Sequence, residues 1–230
     1  MTGLEVHVFP LDVDVCRLAG LLTPDEQERA SRFRFDRDRN RYIACRGTLR
    51  ALLGARAPFA YGPYGKPRLE GSEIRFNVSH SHGMGMIAIA RGREVGCDIE
   101  RIEQKFADEQ IPERFFSPAE VAALRALPEA EQCQAFFRVW TRKEAFIKAC
   151  GMGMSLALDS FDVTLGEHAA LLRGAEGWFL QAVEAPEGYA AAIVLKDLRR
   201  KGRPQPTTMP TSSFMSSITK SGGASANVSG

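Results

Sequence analysis

Hydrophobic and polar positions along the chain repeat with two periods. Leu4 to Phe9 alternates weakly, as a strand does. Thr23-Pro24-Asp25-Glu26 is a helix start, with threonine at the N-cap, proline at the first helical position and glutamate closing a capping box. The helix continues through residues 28–35 into a segment dense in arginine. Ile74 to Ser79, Met86 to Ala90 and Glu94 to Glu100 read as three strands, the first two joined by a polar turn over Ser79 to Gly83. Ser117-Pro118-Ala119-Glu120 repeats the capping box and starts a helix reaching about Leu127. Phe136, Trp140 and Ile147, with Phe137, Val139 and Phe146, recur at helical spacing, predicting a helix with a wide apolar stripe over Phe136 to Cys150. Gly151 follows as its C-cap. Phe161 to Leu165, Trp178 to Val183 and Ala190 to Leu195 complete the expected strands.

The order capped helix, second helix, glycine loop, strands occurs twice. It suggests a duplicated α+β chain of two similar halves, 1–97 and 98–198, with a ligand cleft where they meet. Residues 199–230 are rich in Ser, Thr, Gly and Pro, poor in large apolar residues, and expected to be disordered.

Composition narrows the function. At 230 residues and 44% hydrophobic the chain can bury a sizeable core, and a net charge of +2 supplies no overall field toward nucleic acid or membrane. No apolar run approaches a membrane span, and the first ten residues lack a signal-peptide pattern. Cys16, Cys45, Cys97, Cys133 and Cys150 are scattered, without a C-x-x-C pair, as suits reduced thiols in a cytoplasmic protein. His7, His80, His82 and His168 form no H-E-x-x-H zinc motif.

Four stretches carry candidate chemistry. Glu144 and Lys148 lie four apart, so they share a helix face one turn beyond Trp140. They read either as a solvated ion pair or as a metal ligand beside a phosphate contact. Asp98 and Glu100 share one face of a strand, with Cys97 and Ile99 on the other. They form either an exposed polar edge or a pair of hard oxygen ligands suited to Mg²⁺. Tyr64-Gly65-Lys66-Pro67 offers a ring, a mobile backbone and a charge, or simply a turn. Arg29, Arg32, Arg34, Arg37, Arg39, Arg41 and Arg46 form either a solvated helical face or, in part, a phosphate-binding set.

Taken in order, Gly65-Lys66-Pro67, Phe76-Asn77-Val78-Ser79-His80-Ser81, Val95-Gly96-Cys97-Asp98-Ile99-Glu100, Phe115-Phe116-Ser117-Pro118-x-Glu120 and Trp140-Thr141-Arg142-Lys143-Glu144-Ala145-Phe146-Ile147-Lys148 resemble the Sfp-type 4'-phosphopantetheinyl transferases, over about Leu21 to Phe161. Cys97 stands where the family usually has isoleucine. The resemblance implies two pseudo-duplicated α/β halves with the active site in the cleft between them. It implies coenzyme A as co-substrate, Mg²⁺ on Asp98, Glu100 and Glu144, and a carrier-protein serine attacking the phosphate that bears pantetheine. Glu144, or a water on the metal, would take the serine proton. Lys148 would pair with the diphosphate, and Ser79 and His80 would contact the coenzyme A phosphates. Tyr64, Gly65, Lys66 and Pro67 would lie along the nucleotide, and Arg29 and Arg41 would hold the 3'-phosphate. The partner would be an acyl or peptidyl carrier protein, with no nucleic acid or membrane involved, and the enzyme a cytoplasmic monomer. The alternatives are a non-catalytic coenzyme A or nucleotide-binding module, disfavoured by the third carboxylate, and an unrelated Mg²⁺-dependent phosphohydrolase, disfavoured by the linked motifs.

Overall fold

The computed structural model describes residues 3–54, 58–104 and 110–197. The tail expected over 199–230 therefore lies outside the described residues, as does Ala57 at the head of the tyrosine-glycine loop. The first half contains β1 (Leu4–Pro10), α1 (Cys16–Ala19), α2 (Pro24–Ser31), α3 (Asp36–Leu53), a small hairpin β2 (Ala60–Tyr61) and β3 (Pro67–Arg68), then β4 (Ile74–Ser81) and β5 (Met84–Arg91). The second contains β6 (Val95–Arg101), α4 (Ile111–Phe115), α5 (Pro118–Arg125), α6 (Glu129–Cys150), a small hairpin β7 (Asp162–Val163) and β8 (Leu171–Arg173), then β9 (Trp178–Ala182) and β10 (Tyr189–Lys196).

The chain is thus α+β, and the named helices and strands of the two series follow the same order, the second series adding two short 3-10 turns, Gly153–Ser155 and Leu158–Ser160, after its long helix. Each long helix, α3 and α6, ends on a glycine in the left-handed conformation, Gly54 at φ 60° and Gly151 at φ 66°. Each main sheet places its last strand in the middle, in the antiparallel orders β1-β5-β4 and β6-β10-β9. The expected division at 97/98 falls inside β6; we propose residues 92–94, between β5 and β6, as the divide between the halves.

Both capping boxes form, and each is anchored by a buried cation from its own long helix. Glu26 accepts from the Thr23 amide and pairs with Arg50 at 2.7 Å. Glu120 accepts from the Ser117 amide and pairs with Lys143 at 2.7 Å, and its other oxygen accepts from the Val163 amide. A helix start and a helix end are thereby fixed to one carboxylate.

The layers run helix, sheet, sheet, helix. Ala44, Cys45 and Leu49 of α3 pack with Phe76 and Ile87 on one side of the first sheet. On its other side Met86, Ala88 and Ala90 meet Val95, Cys97 and Ile99 of β6 and Ala191, Ile193 and Leu195 of β10. The opposite face of the second sheet, through Ala192 and Val194, packs on Ala145 and Ala149 of α6. Gly96 permits that last contact: a Cβ there would lie 2.2 Å from both the Ala145 carbonyl oxygen and the Ala149 nitrogen. The helix backbone rests directly on the strand.

Several boundaries differ from the pattern-based reading: the first capped helix stops at Ser31 instead of running on to residue 35, and the strand expected over Phe161 to Leu165 is only Asp162–Val163. α6 begins at Glu129, ahead of the apolar stripe, because its first turn is polar and carries Glu129 and Glu131 where the helix dipole favours acids. β4 continues to Ser81, so the polar turn shrinks to His82 and Gly83.

Candidate active site

The word Phe76-Asn77-Val78-Ser79-His80-Ser81 lies on β4, and strand alternation splits it in two. Asn77, Ser79 and Ser81 face β6. The Cys97 amide donates to Asn77 Oδ1 (2.8 Å), Ser79 Oγ donates to Asp98 Oδ1 (2.7 Å), and the Arg101 amide donates to Ser81 Oγ (3.1 Å). Polar side chains, not a backbone ladder, join the two halves here. Val78 and His80, on the other face, line a cleft of about 710 Å³.

Strand alternation also puts Gly96, Asp98 and Glu100 on the face of β6 that α6 covers. Because Gly96 seats the helix at Ala145 and Ala149, their neighbours Glu144 and Lys148 come down beside the two acids. Lys148 Nζ donates to Asp98 Oδ1 at 2.6 Å and to Ser79 Oγ at 3.0 Å. Asp98 is 1% exposed, so it is no polar edge, and its Oδ2 is buried without a hydrogen-bond partner. Burial, then the neighbouring Asp98 charge, pushes the Glu100 carboxyl up to about 7, with Glu144 adding to the rise. Burial and Asp98 likewise hold Glu144 above the usual carboxylate range. Burial alone would lower the Lys148 ammonium; the Asp98 carboxylate reverses that and holds it above the ordinary lysine value. Burial and Lys148 push His80 down, leaving a neutral imidazole at pH 7.

The acids are electrostatically coupled but not gathered around one point: among the described residues no three His, Cys, Asp or Glu side chains stand close enough to hold a metal ion. The cation that neutralises Asp98 is Lys148.

The cleft is lined by Arg29, Arg41, Gly65, Pro67 and His80, all expected at the site. Arg41 is held in a bidentate pair with Asp12 at 2.7 Å. Four residues expected on the cofactor lie outside this lining: Ser79 and Lys148, which meet at Asp98, and Lys66 and Tyr64. Lys66 does not run along the cleft; its ammonium donates to Glu94 Oε2, the Val95 carbonyl and the Ala149 carbonyl at 2.9–3.0 Å, tying the loop to the start of β6 and the end of α6. Tyr64 is 54% exposed and stands over Gly153. Arg46, one of the seven arginines weighed for phosphate, also lines the cleft, whereas Phe33 and Tyr42 escaped the sequence reading. Arg41, Tyr42, Cys45, Arg46 and Leu49 do recur at helical spacing along α3, but the same arginine density also fits a solvated face. Within the Trp140–Lys148 word the other cations are structural. Lys143 holds Glu120, and Arg142 donates to the Thr164 and Glu167 carbonyls.

The chain is similar to known proteins along most of its length. Residues 94–194 match the family model described as the 4'-phosphopantetheinyl transferase superfamily. The chain is 34% identical over 208 residues to the 4'-phosphopantetheinyl transferase HetI of a Nostoc species, covering 83% of this chain and 87% of that one. It is 31% identical over 189 residues to the 4'-phosphopantetheinyl transferase Sfp of Bacillus subtilis, covering 77% and 83%. With likeness of that extent, and Asp98, Glu100, Glu144 and Lys148 facing one another across β6 and α6, the chain belongs to the 4'-phosphopantetheinyl transferase superfamily.

Proposed function

We propose that this enzyme moves the 4'-phosphopantetheine group of coenzyme A onto a serine of an apo acyl or peptidyl carrier protein, with Mg²⁺, releasing 3',5'-ADP. The observation that carries the chemistry is Asp98. Its Oδ1 is bonded to Ser79 and Lys148 while its buried Oδ2 has no partner, beside two carboxyls, Glu100 and Glu144, that burial and the Asp98 charge raise above the usual carboxylate range. Such a set favours an added cation. Mg²⁺ is ordinarily held by one or two carboxylates, waters and substrate phosphates, so three protein ligands around one point are not required. Of the three acids expected there, Asp98 with Glu100 or Glu144 would hold it, and substrate phosphate and water would complete the shell. When bound, the ion supplies positive charge to the diphosphate of coenzyme A.

The chain's own groups do the rest. Arg29, Arg41 and Arg46 line the cleft and offer guanidinium forks to the nucleotide phosphates. Neutral His80, at the same cleft, donates a hydrogen bond to a phosphate oxygen without adding charge. Lys148 Nζ, held 2.6 Å from Asp98 Oδ1, would pair with the diphosphate. The serine oxygen of the carrier forms the new bond to phosphorus, the bond to the 3',5'-ADP oxygen breaks, and Glu144 takes the hydroxyl proton. Its raised pKa suits a general base. Since both halves of one chain contribute to the site, a monomer suffices. The free thiols fit a cytoplasmic setting, and among the described residues no helix is long and apolar enough to cross a membrane.

The test is mass spectrometry of apo acyl and peptidyl carrier proteins incubated with the enzyme, coenzyme A and Mg²⁺. A gain of one phosphopantetheine, abolished by a chelator, supports the proposal. Coenzyme A binding without a mass gain on any carrier would make the chain a non-catalytic binder.

A further inference from the structure

The turn between β4 and β5 contains an unusual residue. His82 has φ 52°, alone among the described non-glycine residues in taking positive φ, while Gly83 beside it lies outside the left-handed region. That sign pattern is the one of a type II′ hairpin turn, whose first central position normally belongs to glycine. A histidine there carries backbone strain, and such strain persists where the surroundings fix the residue and its side chain has work to do. Here the surroundings do fix it. The Leu11 amide donates to the Gly83 carbonyl at 2.7 Å, and a Cβ on Gly83 would come within 2.9 Å of Asp12 Oδ2, the carboxylate paired with Arg41.

The side chain lines the cleft and reaches across to the second half. His82 Nε2 lies 2.7 Å from Glu103 Oε1, three residues beyond Glu100. The adjoining Ser81 Oγ accepts from the Arg101 amide and lies 3.3 Å from His82 Nδ1. The turn and the strand residue before it, braced by Leu11 and Asp12, therefore hold the chain at Arg101 and at Glu103, just beyond Glu100.

We propose that His82 is a positioning residue: through Glu103 it fixes the chain where it leaves Glu100, and so sets the carboxylate on the metal side of the site. This rests on the proposed role of Glu100. The geometry selects histidine over the glycine the turn would prefer because glycine cannot reach Glu103.

The full-length chain tests this. His82→Gly relieves the strained φ, so its thermal midpoint stays equal or rises. Its kcat for carrier modification falls about tenfold, the KM for coenzyme A changes little, and Mn²⁺ binding measured by calorimetry weakens by a similar factor, as when a group orienting a metal ligand is removed. Glu103→Ala gives the same loss, the double variant is no worse than either single one, and Glu103→Gln, still an acceptor for Nε2–H, restores most of the activity. An active wild type with unaltered kcat and Mn²⁺ affinity in His82→Gly, or losses that multiply in the double variant, would overturn the assignment while leaving the transferase reading intact. A wild type that neither binds Mn²⁺ nor modifies a carrier would remove the role of Glu100 and, with it, this one.

Discussion

Asp98 is the residue on which the site turns. Its carboxylate is shared between a serine of one half and a lysine of the other, and its free oxygen is the point where added positive charge would settle. Glu144 faces the same charge, and burial together with that charge raises its carboxyl. Glu144→Gln keeps the shape and removes the base, so transfer falls by about 10²–10⁴-fold while the metal-free thermal midpoint does not drop. A fully active Glu144→Gln would end its assignment as base and ligand. Glu100 makes a second prediction, from its carboxyl standing at about 7 instead of 4.5. Between those values the folded state holds a proton that the unfolded chain has released, so this group's contribution to stability is present below pH 4.5 and lost as pH rises to about 7. Without metal, the midpoint of Glu100→Gln should therefore gain on that of the wild type as pH is raised from 5 to 7.5, and Mg²⁺ should close the gap. A pH-independent difference would contradict the raised carboxyl.

At the scale of elements, the decisive contact is α6 on β6. A glycine in the strand lets helix backbone and strand backbone touch, and the residues on either side of that contact make the site. Gly96→Ala places a methyl group 2.2 Å from two backbone atoms that no rotamer change can move aside. The helix must lift, costing about 3 kcal/mol or more, which lowers the midpoint of a chain this size by roughly 6–12 °C. Loss of transfer should accompany it, because Glu144 and Lys148 rise with the helix. A Gly96→Ala variant with unchanged midpoint and rate would show that the contact is looser than described. The two capping boxes illustrate a different reach of sequence reasoning. Thr23 to Glu26 and Ser117 to Glu120 were legible as helix starts because a cap acts over four residues. That each box glutamate also receives a buried cation, Arg50 or Lys143, depends on packing between elements and left no local mark.

At the scale of the whole molecule, two similar α+β units pack sheet on sheet, and where their strands β4 and β6 meet the seam is built from side chains. Asn77 supplies the acceptor for the Cys97 amide, a buried donor with no ladder partner on that side. Asn77→Ala leaves that amide unsatisfied and should cost about 1–3 kcal/mol. It should also loosen the register that brings Ser79 to Asp98. Amide exchange at Cys97 and Asp98 should speed up in Asn77→Ala relative to Ala88 in β5; uniform protection across both strands would refute a seam held by that side chain.

Caps, alternation and helical spacing act between near neighbours, so the main strands, the two capped helices, the stripe of α6, the doubling of their order and the charged residues worth watching were legible in the chain alone, whereas the short helices and hairpins were not. The sequence by itself also placed Asp98 with Glu100 on one strand face and Glu144 with Lys148 on one helix face. Tertiary structure decided what each charge meets. It turned Lys66 into a clamp between loop, strand and helix, buried Arg142 and Lys143 against backbone carbonyls, and brought Phe33, Tyr42 and Arg46 to the cleft. Those outcomes depend on which surfaces come together across long stretches of chain, and a lysine or arginine looks the same in sequence whether its partner is a carbonyl, a carboxylate or a phosphate.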